Sequence, residues 1–261
     1  MDAWLTVERE LEVLYGPVAT ETTGAALRAL VGRWHGRPHP LPGRGPLTAG
    51  DCLAIAYPDH VTTAGEAPLA TLGRFLDTHL AEVVTGVHVL PCYPWSSDDG
   101  FAVTDYHAVE PAYGSWADVT AIARRRRLML DLVLNHASAQ GDWYQRFLAG
   151  EPGYERRFFV VAGDPDLAAV TRPRTTPLLT PTVTAAGPCR VWTTFGPDLV
   201  DLDYRAPATL LAMVEVLLDY VARGATLIRL DAVAFVWKTP GTPCVHLDET
   251  HALVRLLRAV L

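Results

Sequence analysis

The sequence predicts an α/β protein with a parallel sheet, the N-terminal half of a (β/α)8 barrel interrupted by a long connection after strand three. Three observations carry this. Short apolar runs of strand length alternate with longer segments of helical periodicity. Two runs, Leu128 to Leu134 and Ala225 to Leu230, deliver polar residues at or just beyond their C-terminal ends, as strands do at the active face of such a barrel. Four strands of this kind can be counted, and closure needs eight.

Residues 1–34 read as two amphipathic helices, the first carrying Leu5, Leu11 and Leu14, the second Leu27, Leu30 and Val31. A Pro/Gly-rich linker covers Gly36 to Gly50. Strand one is Leu53 to Ala56. A helix follows, with Leu69, Leu72, Phe75, Leu76 and Leu80 at helical spacing. Strand two is Val83 to Leu90. Ser115-Trp-Ala-Asp118 is a capping box that opens the next helix. Strand three is Leu128 to Leu134. From Ala137 to Val200 the alternation breaks, with seven prolines, and a connection of that length is usually functional. The helix Pro207 to Arg223 has Pro in its first turn and Gly224 just beyond its end. Strand four is Ala225 to Leu230, and a last helix starts near Asp248. The expected organisation is a helical segment and linker over 1–50 and barrel over 51–136. An insertion covers 137–200, and the barrel continues over 201–261.

Composition narrows the function. The chain has 261 residues, 49% of them hydrophobic, and a formal charge of −7. That gives enough apolar material for a large core and the wrong charge for nucleic acid. No run of 18 apolar residues spans a membrane. The one basic run, Arg124 to Arg127, reads as a solvated helix end favoured by the helix dipole. The N-terminus is acidic, without the basic start and apolar core of a secretion signal. Four scattered cysteines fit no metal pattern and suggest free thiols in a cytoplasmic protein.

The candidate chemistry lies at the strand ends. Arg229 and Asp231 flank Leu230, so they share a face of strand four. Hiding two charges at the end of a buried strand is costly, which favours an open site. A guanidinium beside a carboxylate keeps it ionised, the state a nucleophilic Asp needs. A structural ion pair is the competing reading. Asp131, Val133 and Asn135 share a face of strand three, with His136 at its tip.

Asp131-Leu-Val-Leu-Asn-His136 and Arg229-Leu-Asp-Ala232 resemble two signature regions of glycoside hydrolase family 13, the α-amylase family. Val87-His-Val-Leu-Pro-Cys-Tyr-Pro94, Ser96 to Phe101 with Asp105-Tyr106, Trp192 to Phe195 and Val200 to Tyr204 extend the likeness. Trp237-Lys238 and Gly241 to Leu247 narrow it to the sucrose phosphorylase subfamily and its glucosylglycerate phosphorylase branch. The resemblance implies a small domain inserted after strand three, over 137–200, and a retaining mechanism with two carboxylates about 5–5.5 Å apart. Asp231 would be the nucleophile that forms a glucosyl ester, and Arg229 would hold it. Asp98 and His136 would bind sugar hydroxyls, Phe101 would lie under the ring, and Asn135, Asp131, Tyr106 and Asp105 would support them. No cofactor or metal is implied. Inorganic phosphate is the expected co-substrate and a small sugar the partner. The general acid belongs to a later strand of the family fold, and Glu249 does not match it.

The chain stops at Leu261 inside an apolar helical pattern, so an N-terminal piece of a longer enzyme is expected. Such a piece would be inactive alone and prone to self-association through the open half-barrel. Two other readings stay open: a non-catalytic remnant, and an α-glucosidase-type hydrolase. Arg172-Pro-Arg174 is either a surface pair or a site for an anionic acceptor or phosphate.

Overall fold

The apolar runs become the strands. A computed structural model describes residues 3–35 and 45–261, so most of the Gly36–Gly50 linker lies outside the described residues. In chain order the elements are α1 (Ala3–His35), β1 (Leu53–Ala56), α2 (Pro68–His79), β2 (Gly86–Val89), α3 (Trp116–Arg125), β3 (Arg127–Val133) and β4 (His136–Ser138). Then come α4 (Asp142–Leu148), β5 (Val160–Val161), β6 (Leu179–Thr184), β7 (Gly187–Trp192), β8 (Leu199–Asp201), α5 (Pro207–Ala222), β9 (Ala225–Asp231) and α6 (Asp248–Val260). The chain divides into two compact units.

One unit comprises Arg37–Leu132 and Val216–Leu230. It is built on a sheet of order β1-β2-β3-β9, with β1–β2 and β2–β3 parallel. β2 is buried throughout. Gly86 is dictated by space: a Cβ there would fall 2.3 Å from Leu53 Cδ2 and 3.0 Å from Arg127 Cβ. α2 starts on Pro68 and buries Leu69, Leu72 and Leu76. Ser115 donates its amide and its hydroxyl to the Asp118 carboxylate, each at 2.8 Å, at the start of α3. The basic run departs from the solvated helix end that its composition suggests. Arg124 and Arg125 are exposed, but Arg126 is buried, paired with Asp77 and donating to Leu76 O at 2.6 Å. Arg127 opens β3 and pairs with Asp51 at 3.0 Å. The helix stops at Arg125, and the chain turns straight into the sheet, carrying two arginines inward.

The other unit comprises Met1–Gly36, Val133–Glu215 and Asp231–Leu261. The two predicted N-terminal helices run on as α1, broken at Gly16 (φ 73°) before Pro17. Val7, Leu11, Leu14, Leu27, Leu30 and Val31 are buried, while Leu5 is 61% exposed. Leu5 is off the stripe because Val7, not Leu5, lies one turn before Leu11. α1 packs on α6, and buried Glu10 joins them, accepting from Arg255 at 2.8 Å and Arg9 at 2.6 Å. The Arg255 hydrogen bond holds the Glu10 carboxyl below its ordinary value against the opposing effect of burial. Its stabilisation is therefore present above the unfolded carboxyl value and lost as pH falls through the lower folded one. Both arginines are half exposed, which weakens the pair. Glu10→Gln is expected to cost about 1 kcal/mol at neutral pH, read as a lower urea midpoint, with the difference vanishing in acid.

Between β3 and α5, two further small sheets form. β4 pairs antiparallel with β8, placing His136 opposite Asp201. The second sheet has the order β5-β7-β6, antiparallel throughout. Phe159, Val161, Val170, Leu178, Trp192 and Cys244 form its core.

Candidate active site

In the unit that carries the sheet, Asp131 organises the strand ends. Its side chain is fully buried between two partners: His88 Nε2 on β2 at 2.7 Å, and the Arg229 guanidinium on β9. Its carbonyl accepts from the Tyr93 hydroxyl at 2.9 Å. Tyr93 is buried and stacked on Tyr220 (5.0 Å, 9°), and burial pushes its phenol well above the ordinary value. Cys92 beside it is pushed up to about 12 by burial, so it is an inert thiol. A buried carboxylate needs such partners, because uncompensated burial of a charge is very costly.

Asp98 and Phe101 lie on the loop after β2. Asp98, Asp99 and Gly100 all have positive φ (57°, 51° and 99°). Asp tolerates the left-handed region better than most residues, yet each costs something, and such strain collects at functional sites. Gly100 has little alternative, since a Cβ would lie 3.1 Å from Pro91 O. The loop is pinned by Ser96 N to Ala102 O at 3.0 Å and Thr104 N to Pro94 O at 2.8 Å. Arg229 Cζ stands 5.7 Å from the centre of the Phe101 ring. Asp105 caps the His107 amide at 2.8 Å, and Tyr106 is buried.

In the other unit, Asn135, His136 and Asp201 are buried with Lys238 and Thr194. Lys238 Nζ donates to Asp201 Oδ2 at 2.7 Å and to Asn135 Oδ1 at 2.9 Å. Asn135 Nδ2 donates to Asp201 Oδ2 at 3.1 Å and faces His136 Nδ1 at 3.2 Å. Thr194 donates its amide (2.9 Å) and hydroxyl (2.6 Å) to the same carboxylate. Burial lowers the Lys238 pKa, and Asp201 pulls it back up. The His136 ring lies 5.3 Å from that of Phe195, and Arg174 Cζ lies 5.7 Å from the same Phe195 ring. Asp231 is the last residue of β9. Ala232 follows at φ 49°, a left-handed alanine that turns the chain sharply after the carboxylate.

Of the residues predicted from sequence, Arg229 and Phe101 are thus neighbours in one unit, and Asn135 and His136 in the other. Asp98 sits in the strained turn, and Asp231 closes its strand. Arg229 has a partner that the strand alternation did not reveal, Asp131. His88, Thr194, Asp201 and Lys238 were given no role from sequence. Two of them left a trace there. His88 is a lone polar residue inside an apolar strand, and such a residue needs a partner. Lys238 is the single lysine among 22 basic residues.

Among the described residues, no group of three or more His, Cys, Asp and Glu side chains is placed to hold a metal ion. Also among them, no helix is long and apolar enough to cross a membrane.

Residues 80–255 match the family model described as the α-amylase catalytic domain, so the chain belongs to the α-amylase family of glycoside hydrolases. Within it, the chain is 50% identical over 255 residues to a glucosylglycerate phosphorylase of Spirochaeta thermophila, covering 96% of this chain and 43% of that one. It is 47% identical over 212 residues to the Escherichia coli glucosylglycerate phosphorylase (81% and 38% covered). It is 34% identical over 215 residues to a sucrose phosphorylase of Agrobacterium vitis (78% and 43%). The chain therefore spans about two fifths of the length of these relatives. A crystal structure of sucrose 6F-phosphate phosphorylase from Thermoanaerobacter thermosaccharolyticum superposes with a TM-score of 0.73 at 29% identity, covering 83% of this chain and 48% of that one.

Proposed function

We propose that this chain forms the nucleophile-bearing part of a retaining glucosyl phosphorylase acting on a glucosylglycerate-type donor or sucrose. The observation that carries the reading is the 50% identity to a glucosylglycerate phosphorylase across 96% of the chain. The two signature segments stand in that stretch, with Arg229 clasped by a buried Asp131. On this reading the sheet supplies the first four βα units of a (β/α)8 barrel. Residues 137–200 are an inserted domain beside the substrate cleft, and 201–261 continue the barrel. Asp231 attacks the anomeric carbon and forms a glucosyl ester as the glycosidic C–O bond breaks. The glycerate or fructose oxygen leaves, protonated by the general acid of the later part of the family fold. Phosphate then attacks the same carbon, releasing glucose 1-phosphate and the free Asp231 carboxylate. Arg229 holds Asp231, Asp98 and His136 bind hydroxyls of the glucosyl ring, Phe101 packs under it, and Asn135 orients His136. Arg174, over the aromatic neighbour of His136, binds the anionic phosphate or acceptor. A cytoplasmic location fits a substrate of this kind.

The test is a chimera in which residues 1–261 replace the matching segment of the Spirochaeta thermophila relative. It is expected to release glucose 1-phosphate from glucosylglycerate only when phosphate is present. Hydrolysis at the same rate without phosphate would favour a glucosidase and defeat the proposal. Turnover is expected to survive EDTA, because the buried carboxylates Asp131 and Asp201 already have cationic partners. Loss in EDTA with rescue by a divalent ion would overturn that. Residues 1–261 alone carry one carboxylate of the pair by resemblance. General-acid help is worth about 10²–10⁴-fold, and the substrate-binding groups that the resemblance places on later strands would remove more, so the chain alone is expected to show no meaningful phosphorolysis.

A further inference from the structure

We propose that Lys238 and Asp201 are positioning residues that hold His136 in one tautomer, with its proton on Nε2, so that the ring offers a hydrogen-bond donor to a bound sugar. The sugar clause rests on the function proposed above; the tautomer does not.

The chain uses Arg at 21 of its 22 basic positions and Lys at one. That lysine is buried, its side chain 1% exposed. An ammonium only donates, so the Asn135 amide atom 2.9 Å from Lys238 Nζ is the carbonyl oxygen. The amide nitrogen then points the other way. One hydrogen goes to Asp201 Oδ2 at 3.1 Å, and the other meets His136 Nδ1 at 3.2 Å. Turning the amide over would set NH2 against the ammonium and the carbonyl against the carboxylate. Two such mismatches in a buried network are prohibitive. Asp201 cannot swing to relieve them, because Thr194 grips it through amide and hydroxyl. With both amide hydrogens donating, His136 Nδ1 accepts. A neutral imidazole that accepts at Nδ1 carries its hydrogen on Nε2. The geometry also accounts for the lysine. The two acceptors converge on one point, which suits a compact ammonium and not the spread, planar fork of arginine.

The tautomer is read by nitrogen NMR of the chain labelled with ¹⁵N in histidine and lysine, in solution or as a sedimented solid. His136→Gln assigns the ring signals, and the single lysine gives a single side-chain signal. Unprotonated Nδ1 and protonated Nε2, with no second form, are expected for His136. Lys238→Met should bring the Nδ1-protonated form from undetectable to a tenth or more of the population. Because that variant strands a buried carboxylate, the same reading is made on D201N/K238M, which removes both charges together. A proton on Nδ1 in the unsubstituted chain would overturn the proposal, as would an unmixed Nε2–H form in both variants. Glucose 1-phosphate is then added and is expected to move the Nε2–H signal. The expected tautomer without that response supports the network assignment and counts against the sugar-binding role alone.

Discussion

Asp231→Asn in the chimera is expected to lower glucose 1-phosphate release by about 10⁴–10⁶-fold, the scale on which removal of a covalent nucleophile acts. The substitution keeps the shape of the side chain and removes its nucleophilicity, so the melting temperature should hardly move. The loss should fall on kcat, since the carboxylate forms its bond in the transition state and not on binding. A quenched reaction of the unsubstituted chimera should trap a glucosyl ester on the peptide containing Asp231, and the variant should trap none. Arg229→Lys provides the companion measurement. It keeps the positive charge but loses the planar guanidinium whose nitrogen meets Asp131, so a smaller loss, on the order of 10²-fold, is expected. A D231N chimera within tenfold of the parent would remove Asp231 from the chemistry and turn attention to Glu249, which with Asp248 opens the first turn of α6.

Much of this arrangement could be read from the sequence, for identifiable reasons. All four strands of the main sheet fall inside or within one residue of the apolar runs, most plainly β2, which is buried throughout and so leaves a continuous hydrophobic signature. Polar residues at the ends of two of them are what singles out the candidate site. What escaped detection lies in partnerships between distant segments. Nothing local in Val87-His-Val89 says that His88 meets a carboxylate 43 residues away. Nothing in Trp237-Lys238 says that the lysine reaches Asn135, 103 residues earlier. Strand alternation gave Arg229 and Asp231 a common face, but it could not show the Asp131 carboxylate beside Arg229. The basic run misled for a related reason. A helix dipole argument treats Arg124 to Arg127 as one solvated patch, whereas the chain leaves the helix at Arg125 and enters the sheet at Arg127.

Lys238 should also be the most stability-sensitive of the buried polar residues described above. Lys238→Met removes the cation that compensates Asp201, which is completely buried. Breaking such a pair from one side costs about 3–5 kcal/mol, because the remaining charge has no water to return to. At about 2–4 °C per kcal/mol for a chain of this size, the melting temperature should drop by roughly 6–20 °C. Asp201→Asn alone should cost a comparable amount, as it leaves the ammonium buried without its counter-charge. D201N/K238M should be more stable than the sum of the two losses predicts, since a neutral amide and a thioether strand no charge. The single lysine supplies a second readout. An amine-reactive reagent should leave Lys238 unmodified in the native chain and label it on unfolding, so its rate of modification in dilute urea follows the opening of this network. A K238M variant within 1 kcal/mol of the parent, or a Lys238 that reacts as fast as an exposed amine under native conditions, would mean that the ion pair is not what holds Asn135 and His136 in place.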